Sequence, residues 1–119
     1  MDHRIYDSEL RILEILWTRG GLPAKEIAVI AAGQVGWSKT TTYTVLKKCV
    51  EKGLIRRTDP SFLCCALVSR EDVQKQETRE LIDRMYGGHA DRLVASLLDG
   101  KTLNSQEIER LRSLVEELK

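Results

Sequence analysis

The segment from Gly36 to Lys48, GWSKTTTYTVLKK, concentrates hydroxyl and ammonium groups among apolar residues. If it is helical, its inward side carries Thr42, Val45, Leu46, Cys49 and Val50. Its outward side then carries Lys39, Thr40, Thr41, Tyr43, Thr44, Lys47 and Lys48. Ammonium groups bind phosphates, and threonine offers a hydroxyl to base edges and a methyl group to thymine. The segment therefore predicts a DNA-binding helix, and Arg56 and Arg57 beyond it could contact the flanking backbone.

The sequence does not support other kinds of site. It has no nucleophile beside a base, no paired carboxylates at a polar centre and no glycine loop with phosphate-binding spacing. The three cysteines lack the spacing of a zinc site, and both histidines lie far from them in sequence. We therefore predict no enzyme, no metal site and no cofactor. The adjacent Cys64 and Cys65 could form a thiol redox switch. This is a lesser alternative, because neighbouring residues on a strand point to opposite faces, which favours one buried thiol and one outward-facing thiol.

The charge of the chain is unevenly distributed. Of its 119 residues 31% are charged and 42% hydrophobic, and the net charge is only +1. Residues 37–57, however, contain six basic residues and one acid. Such a concentration is typical of a face that binds a polyanion. No apolar run approaches the ~20 residues of a membrane span, and the N-terminus has no hydrophobic signal core, so we expect a cytoplasmic protein without membrane insertion.

Three helices are predicted in the first half of the chain. Apolar residues at helical spacing indicate a first helix over residues 8–19, with Asp7 as its N-cap. Pro23 then stands at the start of a short second helix. The third helix is expected to begin with Ser38 as its N-cap and to end at Gly53. In a helix-turn-helix, the second of these helices would cross the DNA backbone and the third would enter the major groove.

A change of pattern follows the third helix. Two short runs, LIRRT and FLCCALV, are joined by a turn signal at Asp59-Pro60-Ser61 and predict a β-hairpin. Three helices followed by a hairpin is the order of a winged helix-turn-helix. The predicted fold class is therefore mainly α with a small β-hairpin wing, and residues 1–69 form the predicted DNA-binding domain.

Residues 70–119 are predicted to be helical again and to form a dimerisation domain. Helices are expected from Ser69 to about Tyr86, within HADRLVASLLDG, and after Asn104. The apolar residues predicted to form the interface are Leu93, Leu97, Ile108, Leu111, Leu114, Val115 and Leu118. Because such short amphipathic helices have little to pack on within their own segment, their stripes favour a homodimer. The alternative is that they fold back on the first domain.

Several motifs, in order along the chain, resemble those of one known family. The run from Gly36 to Ile55 resembles its recognition-helix signature, and DSEL, AKEI and LVSRE resemble its first helix, second helix and exit from the wing. The patterns LV-x-x-L and S-x-EI-x-x-L resemble its C-terminal dimerisation helices. The family is that of the penicillinase repressors and methicillin-resistance repressors, and copper-responsive repressors share its recognition-helix signature. The resemblance spans essentially the whole chain.

This resemblance implies a homodimeric repressor that binds a palindromic operator, usually of TACA…TGTA type, and blocks transcription. It implies that the wing touches the DNA backbone, and a membrane sensor protease that acts indirectly is a further partner to consider. The residues that it places against DNA are Lys39, Thr40, Thr41, Tyr43, Thr44 and Lys47.

The sequence departs from the family pattern at its switches. Members that respond to β-lactams are cleaved at an Asn-Phe bond, but Ser96–Leu97 stands at the matching position. Copper-responsive members carry a C-terminal Cys-x-Cys cluster, but this sequence has no cysteine after Cys65. The wing tip also lacks the usual basic residues, which leaves open a winged-helix protein-interaction module that has lost DNA binding.

Overall fold

A computed structural model describes residues 4–118 of the chain. It is mainly helical with a small antiparallel sheet, which confirms the predicted fold class. The helices are α1 Asp7–Arg19, α2 Ala24–Val35, α3 Lys39–Glu51, α4 Arg70–Tyr86, α5 Ala90–Asp99 and α6 Ser105–Glu116. The strands are β1 Leu22–Pro23, β2 Ile55–Thr58 and β3 Leu63–Ala66.

The sheet has three strands in the order β1-β3-β2, so the expectation of a simple two-stranded hairpin was incomplete. The additional strand β1 is only two residues long, and two residues are too few to show a period-two pattern in sequence. It pairs with β3 through Leu22 opposite Cys64. A Cβ atom at Gly21 would lie 2.8 Å from the Sγ atom of Cys65, so a glycine permits this close approach.

The ends of α1 and α3 show how local sequence sets the helices. Ser38 is the N-cap of α3, as predicted, and its Oγ atom accepts a hydrogen bond of 3.1 Å from the backbone N of Thr41. The prediction that Asp7 caps α1 was wrong by one residue, because Tyr6 occupies that position. The backbone N of Tyr6 donates to Oε1 of Glu9 at 2.9 Å. The carboxylate of Glu9, at the third helical position, thus gives the backbone N–H group of the N-cap residue a hydrogen-bond acceptor.

The hydrophobic core lies between the first three helices and the sheet. Its members within residues 4–118 are Ile12, Leu13, Ile15, Leu16, Ala24, Ile27, Ala31, Val45, Leu46, Cys49, Ile55 and Cys64. Because α3 contributes three of them from its inward side, burial fixes which side of that helix faces solvent. The indole N–H of Trp17 donates to the backbone oxygen of Val68 at 2.9 Å, which ties α1 to the segment after β3.

The chain divides into two compact units within α4, and the boundary falls between Glu77 and Thr78. The first unit contains the three N-terminal helices and the sheet. In the second unit, neither α5 nor α6 has a buried residue. None of the helices within residues 4–118 is long and apolar enough to cross a membrane. The assignment of residues 1–69 to DNA binding and residues 70–119 to dimerisation stays a prediction.

Candidate nucleic-acid interface

The two sides of α3 separate by burial. The inward side contributes Thr42, Val45, Leu46 and Cys49, all buried. Every residue of α3 that was predicted to bind DNA is exposed: Lys39, Thr40, Thr41, Tyr43, Thr44, Lys47 and Lys48. These seven side chains are therefore available to a partner, while the buried side holds the helix on the core.

The threonine hydroxyls on α3 are oriented by short local hydrogen bonds. The Oγ1 atom of Thr44 donates to the backbone oxygen of Thr40 at 2.9 Å. The hydroxyl of Ser38 donates to Oγ1 of Thr41 at 3.0 Å. With its proton engaged, Thr44 presents oxygen lone pairs and a methyl group, which suit the N6 amino group of adenine or N4 of cytosine and the methyl group of thymine. Thr41 keeps a proton to donate.

A cation–ring contact and one acidic residue also shape the outward side of α3. The Nζ atom of Lys39 lies 5.6 Å from the ring centroid of Tyr43, one turn later, so the cation and the ring support each other. Glu51 is exposed and stands one turn beyond Lys47 on the same side of the helix. Its carboxylate repels phosphate, so the predicted DNA-binding residues of α3 end before Glu51.

Lys52 does not belong to the exposed basic group in which the sequence placed it. Its Nζ atom lies 2.9 Å from Oε1 of the buried Glu9 and donates to the backbone oxygen of Arg4 at 2.8 Å. The ammonium group also lies 4.5 Å from the ring centroid of Tyr6. The charge of Lys52 is therefore held against α1. The periodicity of α3 could not reveal this contact, because the partner lies on another helix.

The two wing arginines are exposed but lie on opposite faces of the hairpin. Arg56 is paired with Cys65 and Arg57 with Cys64, and neighbouring residues of a strand alternate between faces. The guanidinium carbon of Arg57 lies 5.0 Å from the ring centroid of Phe62. Only Arg57 faces α3, so the two arginines serve different surfaces.

A groove of about 500 Å³ runs between α3 and the wing, a region that we call the α3–wing groove. Its lining consists of Ala24, Tyr43, Leu46, Lys47, Val50, Glu51, Arg57, Phe62 and Cys64. Val50 was predicted to point inward, but it lines this groove and is 36% exposed. Sequence reasoning missed Phe62 because a single aromatic residue next to a turn carries no periodic signal.

The cysteines differ in exposure as strand alternation predicted. Cys64 is buried and Cys65 is half-buried, while Cys49 is buried in α3. Burial, with the Glu9 carboxylate as a second cause, raises the pKa of the Cys49 thiol to about 12. Burial also raises the pKa of Cys64, although Arg57 acts in the opposite direction. A protonated thiol is a poor nucleophile, so these two thiols are protected in the folded chain.

We expect iodoacetamide at pH 8 to modify Cys65 first in the native chain, because Cys49 and Cys64 are buried and protonated. Mass spectrometry of proteolytic fragments measures the three rates. In urea all three cysteines should react at similar rates. Equal modification of Cys64 and Cys65 in the native chain would contradict the protection and revive a thiol switch.

The residues predicted to form a dimer interface leave apolar surface exposed in the second unit. Leu93, Leu97 and Leu111 are half-buried, and Ile108, Leu114, Val115 and Leu118 are exposed. Leu114 is 46% exposed and Leu118 is 85% exposed. The spacing of the apolar residues of α6 places them on one side of that helix.

Comparison with known proteins gives consistent results. A model of the family described as penicillinase repressor matches residues 5–117. The methicillin resistance regulatory protein MecI of Staphylococcus aureus (strain N315) is 27% identical over 120 residues, which cover 97% of this chain and 98% of MecI. The penicillinase repressor of Bacillus licheniformis is 23% identical over 118 residues, which cover 98% of this chain and 92% of that protein. The solution structure of the DNA binding domain of the repressor BlaI has the same fold, with a TM-score of 0.54 and 21% identity over 58% of this chain and 87% of that domain.

Proposed function

Because the chain belongs to the penicillinase repressor family, we propose that it is a transcriptional repressor that binds a palindromic operator as a homodimer. The observation that carries this proposal is the exposed outward side of α3, where threonine, tyrosine and lysine side chains stand together on a helix held by the core. A repressor of this kind acts on DNA in the cytoplasm.

The first unit would bind one half-site. In this arrangement α3 enters the major groove with its N-terminal turn leading, and Thr40, Thr41 and Thr44 face the base edges. The backbone N–H groups at the start of α3 and the Lys39 ammonium group suit a phosphate. Lys47 and Lys48, further along the helix, would contact phosphates on the walls of the groove, and Arg57 would reach the backbone from the wing.

The second unit would supply the homodimer. Apolar side chains on α5 and α6 are exposed in the single chain. Burying them against a second protomer is favourable by about 25 cal/mol for each Å² of apolar surface removed from water. A two-fold symmetric dimer presents two identical α3 helices. Two identical reading helices match a sequence with the same symmetry, which is why we propose a palindromic operator.

The direct test is fluorescence anisotropy with a labelled duplex that contains a TACA…TGTA palindrome. A duplex of the same composition in scrambled order is the control. At ~150 mM salt we expect the palindrome to bind about a thousandfold more tightly, which is the lower end for specific DNA-binding proteins. Equal affinity for the two duplexes would reject the proposed function and favour a winged-helix module for protein partners.

Lys47→Ala should weaken binding to both duplexes. Each phosphate contact releases counterions, so losing one is expected to reduce the slope of log affinity against log salt by about one unit. Lys75→Ala removes an exposed lysine of α4 and serves as the matched control, with the slope of the wild type. An unchanged slope in Lys47→Ala would remove Lys47 from the phosphate contacts.

A further inference from the structure

The α3–wing groove has the properties of a site for a small molecule. We propose that it binds a small aromatic carboxylate and that its occupant competes with DNA, the second part resting on the proposed function. Such a ligand would release the protein from its operator. The groove therefore offers a route of induction that needs neither chain cleavage nor a metal.

The shape of the groove suits a flat apolar ring. Its volume of about 500 Å³ lies within the range of small-molecule sites, ~300–1,000 Å³. Ala24, Leu46 and Cys64 are buried and form its floor. Tyr43 and Phe62 are the aromatic side chains of its lining, and both are partly exposed.

The backbone holds the Phe62 side of the groove in place. The backbone N of Ala24 donates to the backbone oxygen of Phe62 at 3.0 Å, which fastens the wing tip to the start of α2. The guanidinium group of Arg57 lies over the Phe62 ring, with 5.0 Å between its carbon and the ring centroid. A site with a fixed aromatic wall and a placed cation needs little rearrangement when a ligand binds, and this favours affinity.

Charge selects an anion. Two cations, Lys47 and Arg57, and one acid, Glu51, line the groove, so the ionised groups of its lining sum to +1. Neither cation belongs to an ion pair among residues 4–118. A guanidinium group matches a carboxylate with two parallel hydrogen bonds, whereas the apolar floor excludes a fully hydrated ion such as free phosphate. A carboxylate on an aromatic ring satisfies both requirements.

Competition with DNA follows from shared residues. Tyr43, Lys47 and Arg57 line the groove and are also predicted DNA contacts. A ligand that engages these side chains withdraws them from phosphates and base edges. Because linkage is reciprocal, DNA must weaken the ligand by the same factor by which the ligand weakens DNA.

The binding test uses the full chain without DNA and 1-naphthoate as the probe, measured by isothermal titration calorimetry. The uncharged analogue 1-naphthylmethanol, which has the same ring system without the carboxylate, tests the role of that group. Val50→Trp places a large side chain in the groove, and Val29→Trp makes the same substitution at an exposed position of α2 outside it. The competition test repeats the anisotropy titration of the palindromic duplex at increasing 1-naphthoate.

We expect one saturable site per chain. Val50→Trp should lower the affinity for 1-naphthoate by about tenfold or more, Val29→Trp should leave it unchanged, and the alcohol should bind about tenfold more weakly because it lacks the charge-assisted hydrogen bonds. Because the proposed homodimer carries two such sites and both must be empty when it binds DNA, its apparent affinity for the duplex should fall by the square of one plus the ratio of ligand concentration to dissociation constant.

Other outcomes overturn separate parts of the proposal. Absence of saturable binding, or equal binding by Val50→Trp and wild type, overturns the groove as a ligand site. Binding that leaves the affinity for the duplex unchanged overturns the competition. A chain that does not prefer the palindrome rejects the proposed function and the competition with it, while the calorimetry, performed without DNA, still decides whether the groove binds the carboxylate.

Discussion

Leu114→Asp is expected to convert the proposed homodimer into monomers and to lower its affinity for the palindromic duplex by more than about hundredfold. Two linked DNA-binding domains on one duplex gain ~10²–10⁴ in affinity over a single domain, and separation of the protomers removes this gain. A carboxylate among the apolar side chains of α6 would be buried without a counter-ion at the interface, which strongly opposes association. Sedimentation equilibrium measures the dimer and anisotropy measures the DNA affinity.

The position is chosen so that folding of the chain and dimerisation can be told apart. Leu114 is 46% exposed in the single chain, so an aspartate there loses few contacts within its own unit. Far-ultraviolet circular dichroism should therefore match that of the wild type. Ser113→Asp adds the same charge at the neighbouring exposed residue on the opposite side of α6, and it should remain a dimer with wild-type DNA affinity. A dimeric Leu114→Asp would contradict the proposed interface.

The outward side of α3 could be predicted from sequence because every determinant of it is local. Ser38 begins the helix through a hydrogen bond to the next turn, and the buried residues recur at helical spacing. Once Thr42 and Leu46 face the core, Thr40, Thr44 and Lys47 must face solvent. The same holds for α6, which begins after Asn104 as predicted, because Oδ1 of Asn104 accepts a hydrogen bond of 2.8 Å from the backbone N of Glu107.

The α3–wing groove could not be predicted, because it depends on residues far apart in sequence. Val50 fits the inward pattern of α3, and only the position of the wing shows that it faces a groove. Phe62 and Arg57 meet through the register of β2 and β3, which an isolated run of four residues does not fix. The strand β1 was not predicted for the same reason, because its two residues form a strand only through their pairing with β3.

The role of Lys52 could not be predicted from sequence either, because it depends on a contact with Glu9 of α1. Glu9 is 1% exposed, and its Oε1 atom accepts from the backbone N of Tyr6 and from Nζ of Lys52, each at 2.9 Å. Its Oε2 atom is buried without a hydrogen-bond partner among the residues described. Lys52 therefore neutralises a carboxylate that is otherwise only partly satisfied, and it joins the N-terminal turn of α1 to the C-terminal end of α3.

Lys52→Met is expected to lower the free energy of unfolding by about 3 kcal/mol, because it leaves the Glu9 carboxylate buried without its cation. Urea denaturation at pH 7 measures the change. The double variant Glu9→Gln/Lys52→Met should recover much of the loss, since it removes the buried charge that made the single change costly. Arg70→Met breaks an ion pair with Glu14 whose side chains are 43% and 49% exposed, and it should cost less than about 1 kcal/mol. If Lys52→Met costs no more than Arg70→Met, the Glu9–Lys52 pair does not hold α1 and α3 together, and the orientation of α3 must depend on the apolar core alone.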